Sequence, residues 1–222
     1  MNRFTAIYST LSFVISISLM SAAFIVPTQL NWYEESGFIE VSTAIFFGLS
    51  GLIAFGAWFS DRRETYGLFA LTMILACLRE LDAHKAFTTQ SILKSRFYLS
   101  DQTPLGEKLI GFLFILLLLY TAIRLLSYVS GWLKEVFSLQ RDAIVIAIAF
   151  GSLCVGKFLD TSPRIFTGLQ EYAYQLRAIE ECLELNSAVF FVLAAILIYT
   201  KKHSKKENTT SFKKYADKLC TH

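Results

Sequence analysis

Histidine and cysteine are scarce in this chain, and neither falls into a catalytic spacing. Of three histidines only His84 borders an apolar segment. It cannot supply the paired Glu-x-x-His sets of a di-iron bundle or the two axial ligands of a b-type haem. His-Glu-x-x-His is absent, which removes the common zinc-protease centre, and the Gly-x-Ser-x-Gly elbow of serine hydrolases is missing as well. The four cysteines, Cys77, Cys154, Cys182 and Cys220, contain no CxxC pair, and three of them sit in apolar stretches. They read as packed thiols, with no disulfide framework or zinc knuckle. A formal net charge of +3 is too small to suggest a nucleic-acid partner. No internal repeat or low-complexity tract precedes the lysine-rich C-terminal segment.

Apolar residues are abundant instead. They make up 54% of the 222 positions, and the mean hydropathy is +0.48, values that belong to polytopic membrane proteins. Six stretches are long enough to cross about 30 Å of hydrocarbon at about 1.5 Å per helical residue. They run near 5–26, 37–59, 66–83, 108–128, 142–160 and 179–200. The first is too long for the apolar core of a signal peptide and reads as an uncleaved span. The expected fold is therefore all-α: a bundle of about six transmembrane helices over residues 1–200, with a basic, disordered tail over 201–222.

Orientation follows from the bias of Lys and Arg in short loops. Arg62 and Arg63, Lys134 and Arg141, and seven lysines of the tail, from Lys201 to Lys218, fall on one side if the helices alternate. The loop 27–36 has no Lys or Arg and carries Glu34 and Glu35. These signals place both termini in the cytoplasm of a plasma (bacterial inner) membrane, although Lys85, Lys94, Arg96 and Lys108 argue the other way. On the outer side, Ser162-Pro163 reads as an N-cap followed by proline at the first helical position. Ile165, Leu169, Tyr172 and Leu176 then form one apolar stripe. A short interfacial helix is expected there, with a weaker candidate over 87–98.

The chemistry concentrates in three polar clusters near the outer boundary. Arg79-Glu80-Leu81-Asp82-Ala83-His84-Lys85 ends the third stretch, with Arg79 and Asp82 on one helix face and Glu80 and His84 on another. Lys157, Asp160 and Arg164 form a stripe at the end of the fifth. Arg177, Glu180, Glu181 and Glu184 open the sixth. A charge in hydrocarbon is costly and persists only with partners or a polar cavity, so Arg79 requires a counter-charge from Glu40 or from a carboxylate of the sixth span.

Clustered carboxylates that cannot all ionise cheaply are candidates for general acid and base. Glu80, Asp82, Glu180, Glu181 and Glu184 are accordingly the candidate catalytic residues. Arg79, Lys157, Arg164 and Arg177 are candidates for holding an anionic headgroup. Glu40, His84 and Asp160 are candidate ligands for a divalent cation, with Mg²⁺, Ca²⁺ or Mn²⁺ favoured by the oxygen-rich set and zinc permitted by His84.

The function that fits is a membrane-embedded hydrolase or group transferase acting on a lipid or other amphiphile. The alternatives are an ion-coupled transporter and a non-catalytic subunit or assembly factor. Each cluster also has a plainer reading: a solvated helix end, a lysine snorkelling to the interface, or an ion-pair network that fixes helix register. Membrane-impermeant labelling of intact cells should leave the lysine tail unmodified; a labelled tail would reverse this topology.

Overall fold

A computed structural model of the chain describes residues 37–82, 95–100 and 103–219, the last of these as backbone alone from 202 onward. Its elements are α1 (Phe38–Asp61), α2 (Glu64–Glu80), α3 (Ser95–Leu99), α4 (Leu105–Phe137), α5 (Arg141–Ile165), a 3-10 turn (Thr167–Tyr172) and α6 (Ala173–Leu219). No strand occurs among the described residues. Hydrocarbon offers the backbone no hydrogen-bond partners, and a helix satisfies its peptide groups internally.

Four segments are long and apolar enough to cross a membrane: α1, α4, α5 and the stretch Gly168–Lys201. α2 is shorter, at 17 residues, and ends at Glu80. The expected first span, 5–26, and most of the candidate interfacial segment 87–98 lie outside the described residues. Within the latter segment only the backbone of α3 and the side chains of Phe97 and Tyr98 are described.

α1 and α2 are joined by a tight reversal. Arg62 takes a left-handed conformation (φ 54°), and its N–H returns to the Trp58 carbonyl at 2.7 Å. Its guanidinium lies over the Trp58 and Phe59 rings, 4.9 and 4.7 Å from their centroids. The two helices then run side by side at close range. A Cβ placed on Gly51 would stand 2.9 Å from Ile74 Cγ1 and 3.3 Å from the Ala70 carbonyl oxygen, and one on Gly48 would stand 3.3 Å from Cys77 Sγ. In lipid, where hydrocarbon competes equally for apolar side chains, such small residues let backbones approach and gain dispersion contact.

α6 is the axis of the bundle, packing against α1 on one side and α5 on the other, while α2 packs on α1. Phe191 of α6 is fully buried, and its ring meets one ring from each neighbouring helix: Phe47 of α1 at 6.1 Å, Phe69 of α2 at 5.9 Å and Phe150 of α5 at 6.1 Å. The Ser50 hydroxyl of α1 donates to the Phe191 carbonyl at 3.0 Å, adding a polar link inside the same core.

α4 stands apart. It touches α2 and α5 only lightly, and Gly111 and Thr121 are its buried residues. Its tether is ionic: Arg124 Nε donates to Glu64 Oε1 at 2.7 Å, and the Tyr128 hydroxyl donates to Glu64 Oε2 at 3.0 Å. Arg124, which has no charged neighbour in its own stretch of sequence, thus finds its partner at the start of α2.

The connection between α5 and α6 differs from expectation. Ser162 and Pro163 do not begin an interfacial helix; they lie in the last turns of α5. Pro163 has no N–H to give the Leu159 carbonyl, and the Ser162 hydroxyl donates to that oxygen instead, at 2.8 Å. The Phe166 N–H then returns to the Ser162 carbonyl at 2.8 Å, and a 3-10 turn leads directly into α6.

Gly51→Ala should lower stability by about 1–3 kcal/mol, because two of the three atoms its Cβ would meet are α2 backbone. Gly56→Ala, with nothing within 4 Å of its Cβ, should cost nothing. Thermal unfolding of both variants in detergent measures the difference, and equal melting temperatures would contradict this account of the α1–α2 contact.

Candidate functional site

The charged clusters continue the stripes that build the core. On α2, Phe69, Met73 and Ala76 pack inward, and Glu80 lies four residues beyond Ala76 on the same face. On α5, Ile146, Ala149 and Leu153 lead in the same way to Lys157, and on α6, Phe191 and Ala188 lead back to Glu184 and Glu180. Because each stripe is apolar in its middle and charged at one end, packing the apolar portions carries the charges to a common place.

Lys157 Nζ lies 2.6 Å from Glu180 Oε1 and 2.6 Å from Glu184 Oε1. Arg79 Nε donates to Glu80 Oε1 at 2.9 Å, its Nη2 also pairs with that oxygen, and Nη2 reaches Glu184 Oε1 at 3.4 Å. Glu184 Oε1 is therefore shared by cations from two helices. The result is a chain of alternating sign, Glu80, Arg79, Glu184, Lys157, Glu180, spanning α2, α6 and α5.

Burial divides the two signs. The side chains of Glu80, Glu180 and Glu184 are 7%, 7% and 5% exposed, whereas those of Arg79 and Lys157 are 55% and 48% exposed. The carboxylates form the floor, and the cations reach over them with their stems against the helices. Three carboxylates face two cations, so one negative charge is left to be met by a proton or another cation, since an uncompensated buried charge is expensive.

Glu181, half-buried beside this set, lies within electrostatic reach of Glu40, Glu80, Glu180 and Glu184. No cation is paired with it among the described residues. Gly156, next to Lys157, marks where α5 meets α6 at this level: a Cβ there would stand at ordinary contact distance, 3.6 Å from the Glu180 carbonyl oxygen.

The other candidate residues sit around this core. Asp160 is close enough to influence Glu180 electrostatically but pairs with Arg164 at 3.8 Å, an exposed ion pair of the kind that adds little stability. Arg177 is exposed. Asp82 ends α2 in a left-handed conformation (φ 48°), with its N–H on the Arg79 carbonyl at 3.0 Å, a backbone state that Asp adopts more readily than most residues.

Glu40 approaches on the Glu181 side and Asp160 on the Glu180 side, and His84 lies outside the described residues. Among the described residues, no three of His, Cys, Asp and Glu are placed to hold a metal ion.

Beneath the cluster lie further polar groups. Asn186 Nδ2 donates to Ser152 Oγ at 3.3 Å, linking α6 to α5. The Ser187 hydroxyl is buried with no hydrogen-bond partner among the described residues. Ser187 stands three residues beyond Glu184 and seven beyond Glu180, so the same periodicity that picked out the glutamates also points to it. Below it the Phe47, Phe69, Phe150 and Phe191 rings close the axis.

No protein-family model, curated protein or solved structure matches the chain, and its functional reading rests on these residues.

Lys157→Met should destabilise the protein by about 2–4 kcal/mol, since it leaves two buried carboxylates facing each other without their cation. Adding Glu184→Gln to that variant should recover part of the loss. A denaturant-unfolding double-mutant cycle tests this, and purely additive effects would show that the two groups are not coupled.

Proposed function

We propose that the chain is a multi-pass plasma-membrane protein of the bacterial inner-membrane type, with six spans and both termini in the cytoplasm. Its carboxylate cluster faces outward at headgroup depth as the catalytic centre of a hydrolase or group transferase acting on a lipid or other amphiphile. The observation that carries this reading is the set of three buried carboxylates under two half-exposed cations, with a fourth carboxylate, Glu181, alongside.

Arg79 and Lys157 present positive charge toward the membrane surface, the position of an anionic headgroup on a bound amphiphile. Arg164 and Arg177, exposed at the rim, extend that field. Glu184 is held by both cations and is the group assigned to take a proton from attacking water or from an acceptor hydroxyl. Glu181 is assigned to return a proton to the leaving oxygen. Glu80 and Glu180 hold Arg79 and Lys157 in place, and Asp82 sets the end of the helix that carries Arg79 and Glu80.

A proton relay in an ion-coupled transporter would need polar groups that continue through the bundle. The polar stripe runs inward from Glu184 to Ser187 and then meets the four phenylalanines, which favours a blind-ended site.

Glu181→Gln and Glu184→Gln should each lower turnover by a factor of about 10² or more, the usual weight of a proton-transfer group, while the protein still inserts and melts near the wild-type temperature. The readout is the lipid composition, by mass spectrometry, of cells that overproduce wild type or variant. Wild-type lipid changes that persist in full in both variants would refute the enzymatic reading.

A further inference from the structure

Away from the carboxylates, at the opposite end of the bundle, the gap between α4 and the other helices forms a cavity of about 1090 Å³. Its walls are mostly apolar, formed by Met73 of α2, Val129 of α4, Ile146 and Phe150 of α5, with Phe191 at its inner limit, and Thr72 and Tyr128 add hydroxyls. Around its mouth stand Asp61, Arg63, Glu135, Asp142 and Lys201. Apolar cavities that stay dry and empty are far smaller, on the order of 150 Å³, and water gains nothing against such walls. Hydrocarbon from the surrounding bilayer is the filling these walls suit.

Two further observations define the occupant. Trp132 lines the cavity, and its indole N–H is buried with no acceptor among the described residues. Trp132 lies one turn before Glu135 on the same face of α4. At the mouth, Arg63 is already paired with Asp61 at 2.8 Å and Lys201 with Asp142 at 3.0 Å. Glu135, in contrast, has no ion pair among the described residues. The mouth therefore offers a carboxylate to an ammonium group, while its two cations are engaged.

We propose that this cavity binds a zwitterionic glycerophospholipid with an amine-bearing headgroup. The acyl chains lie against Ile146, Phe150 and Phe191, beside the Trp132 ring, and the ammonium faces Glu135. Such a lipid bridges α4 to α2, α5 and α6, adding to the Arg124–Glu64 tether. This site is separate from the carboxylate cluster and does not depend on the catalytic reading.

The test uses the full chain with Trp32→Phe and Trp58→Phe, leaving Trp132 as its one tryptophan, in phosphatidylglycerol vesicles. These contain a minor fraction of acyl-brominated phosphatidylethanolamine or, in parallel, acyl-brominated phosphatidylglycerol. The amine lipid should quench Trp132 several-fold more than the same fraction of the glycerol lipid. Glu135→Gln should remove that preference while leaving quenching by acyl chains. Gly131→Phe should abolish the preference by filling the cavity, and it starts from a position where a Cβ meets nothing within 4 Å.

Native mass spectrometry of the unmodified chain gives a second measure: a phosphatidylethanolamine adduct on wild type, lost in Gly131→Phe. Equal quenching by both lipids would mean that Trp132 senses only bulk bilayer and would overturn the proposal. Absent quenching, or an adduct that survives Gly131→Phe, would do the same.

Discussion

A lysine ammonium from α5 lies between two buried glutamates of α6, and the acidic end of the bundle is arranged around that bridge. Without a cation, Glu180 and Glu184 would be adjacent like charges on one helix face in a low-dielectric setting. Their satisfaction requires α5 to approach α6 closely, and the two helices meet beside Lys157 at Gly156, where a Cβ would stand 3.6 Å from the Glu180 carbonyl oxygen. It also requires α2 to end beside them, so that Arg79 can neutralise Glu80 and still reach Glu184. One electrostatic requirement thus sets the meeting of three helices.

The middle of the bundle is held by a different force. Phe191 gathers one phenylalanine from each adjoining helix, and dispersion among these rings, reinforced by the Ser50 hydrogen bond, forms a septum between the two ends. On one side of it lie the charged groups of α2, α5 and α6. On the other side lies an apolar cavity created because α4 is tied to α2 through Glu64 and not packed along its length. The molecule has two chemically opposite compartments, and the aromatic layer prevents the polar stripe from running through.

Much of this was legible in the residues. The cost of burying Arg79 implied a carboxylate partner, and a glutamate of the last apolar stretch, Glu184, lies at 3.4 Å, with Glu80 as the nearer one. Lys157 was legible as a snorkelling lysine, and its half-exposed side chain fits that reading, but its ammonium also holds two buried glutamates. Local signals misled where two uses of one motif compete. Ser162-Pro163 has the composition of a helix start, yet the hydroxyl turns backward to the carbonyl that proline leaves unpaired, and the pair sits at a helix end.

Helical content, the four apolar segments and the position of charges near segment ends follow from composition and from the 3.6-residue period, which are properties of each stretch alone. The identity of each charge's partner is not such a property. Lys157 and Glu180 are 23 positions apart, Arg124 and Glu64 are 60, and Arg79 and Glu184 are 105. Which of the available carboxylates each cation meets depends on how far every helix is rotated and how closely it is approached. Those quantities are set by contacts among Gly51, Gly156 and Phe191 and their neighbours, distant in the chain and joined only when the bundle packs.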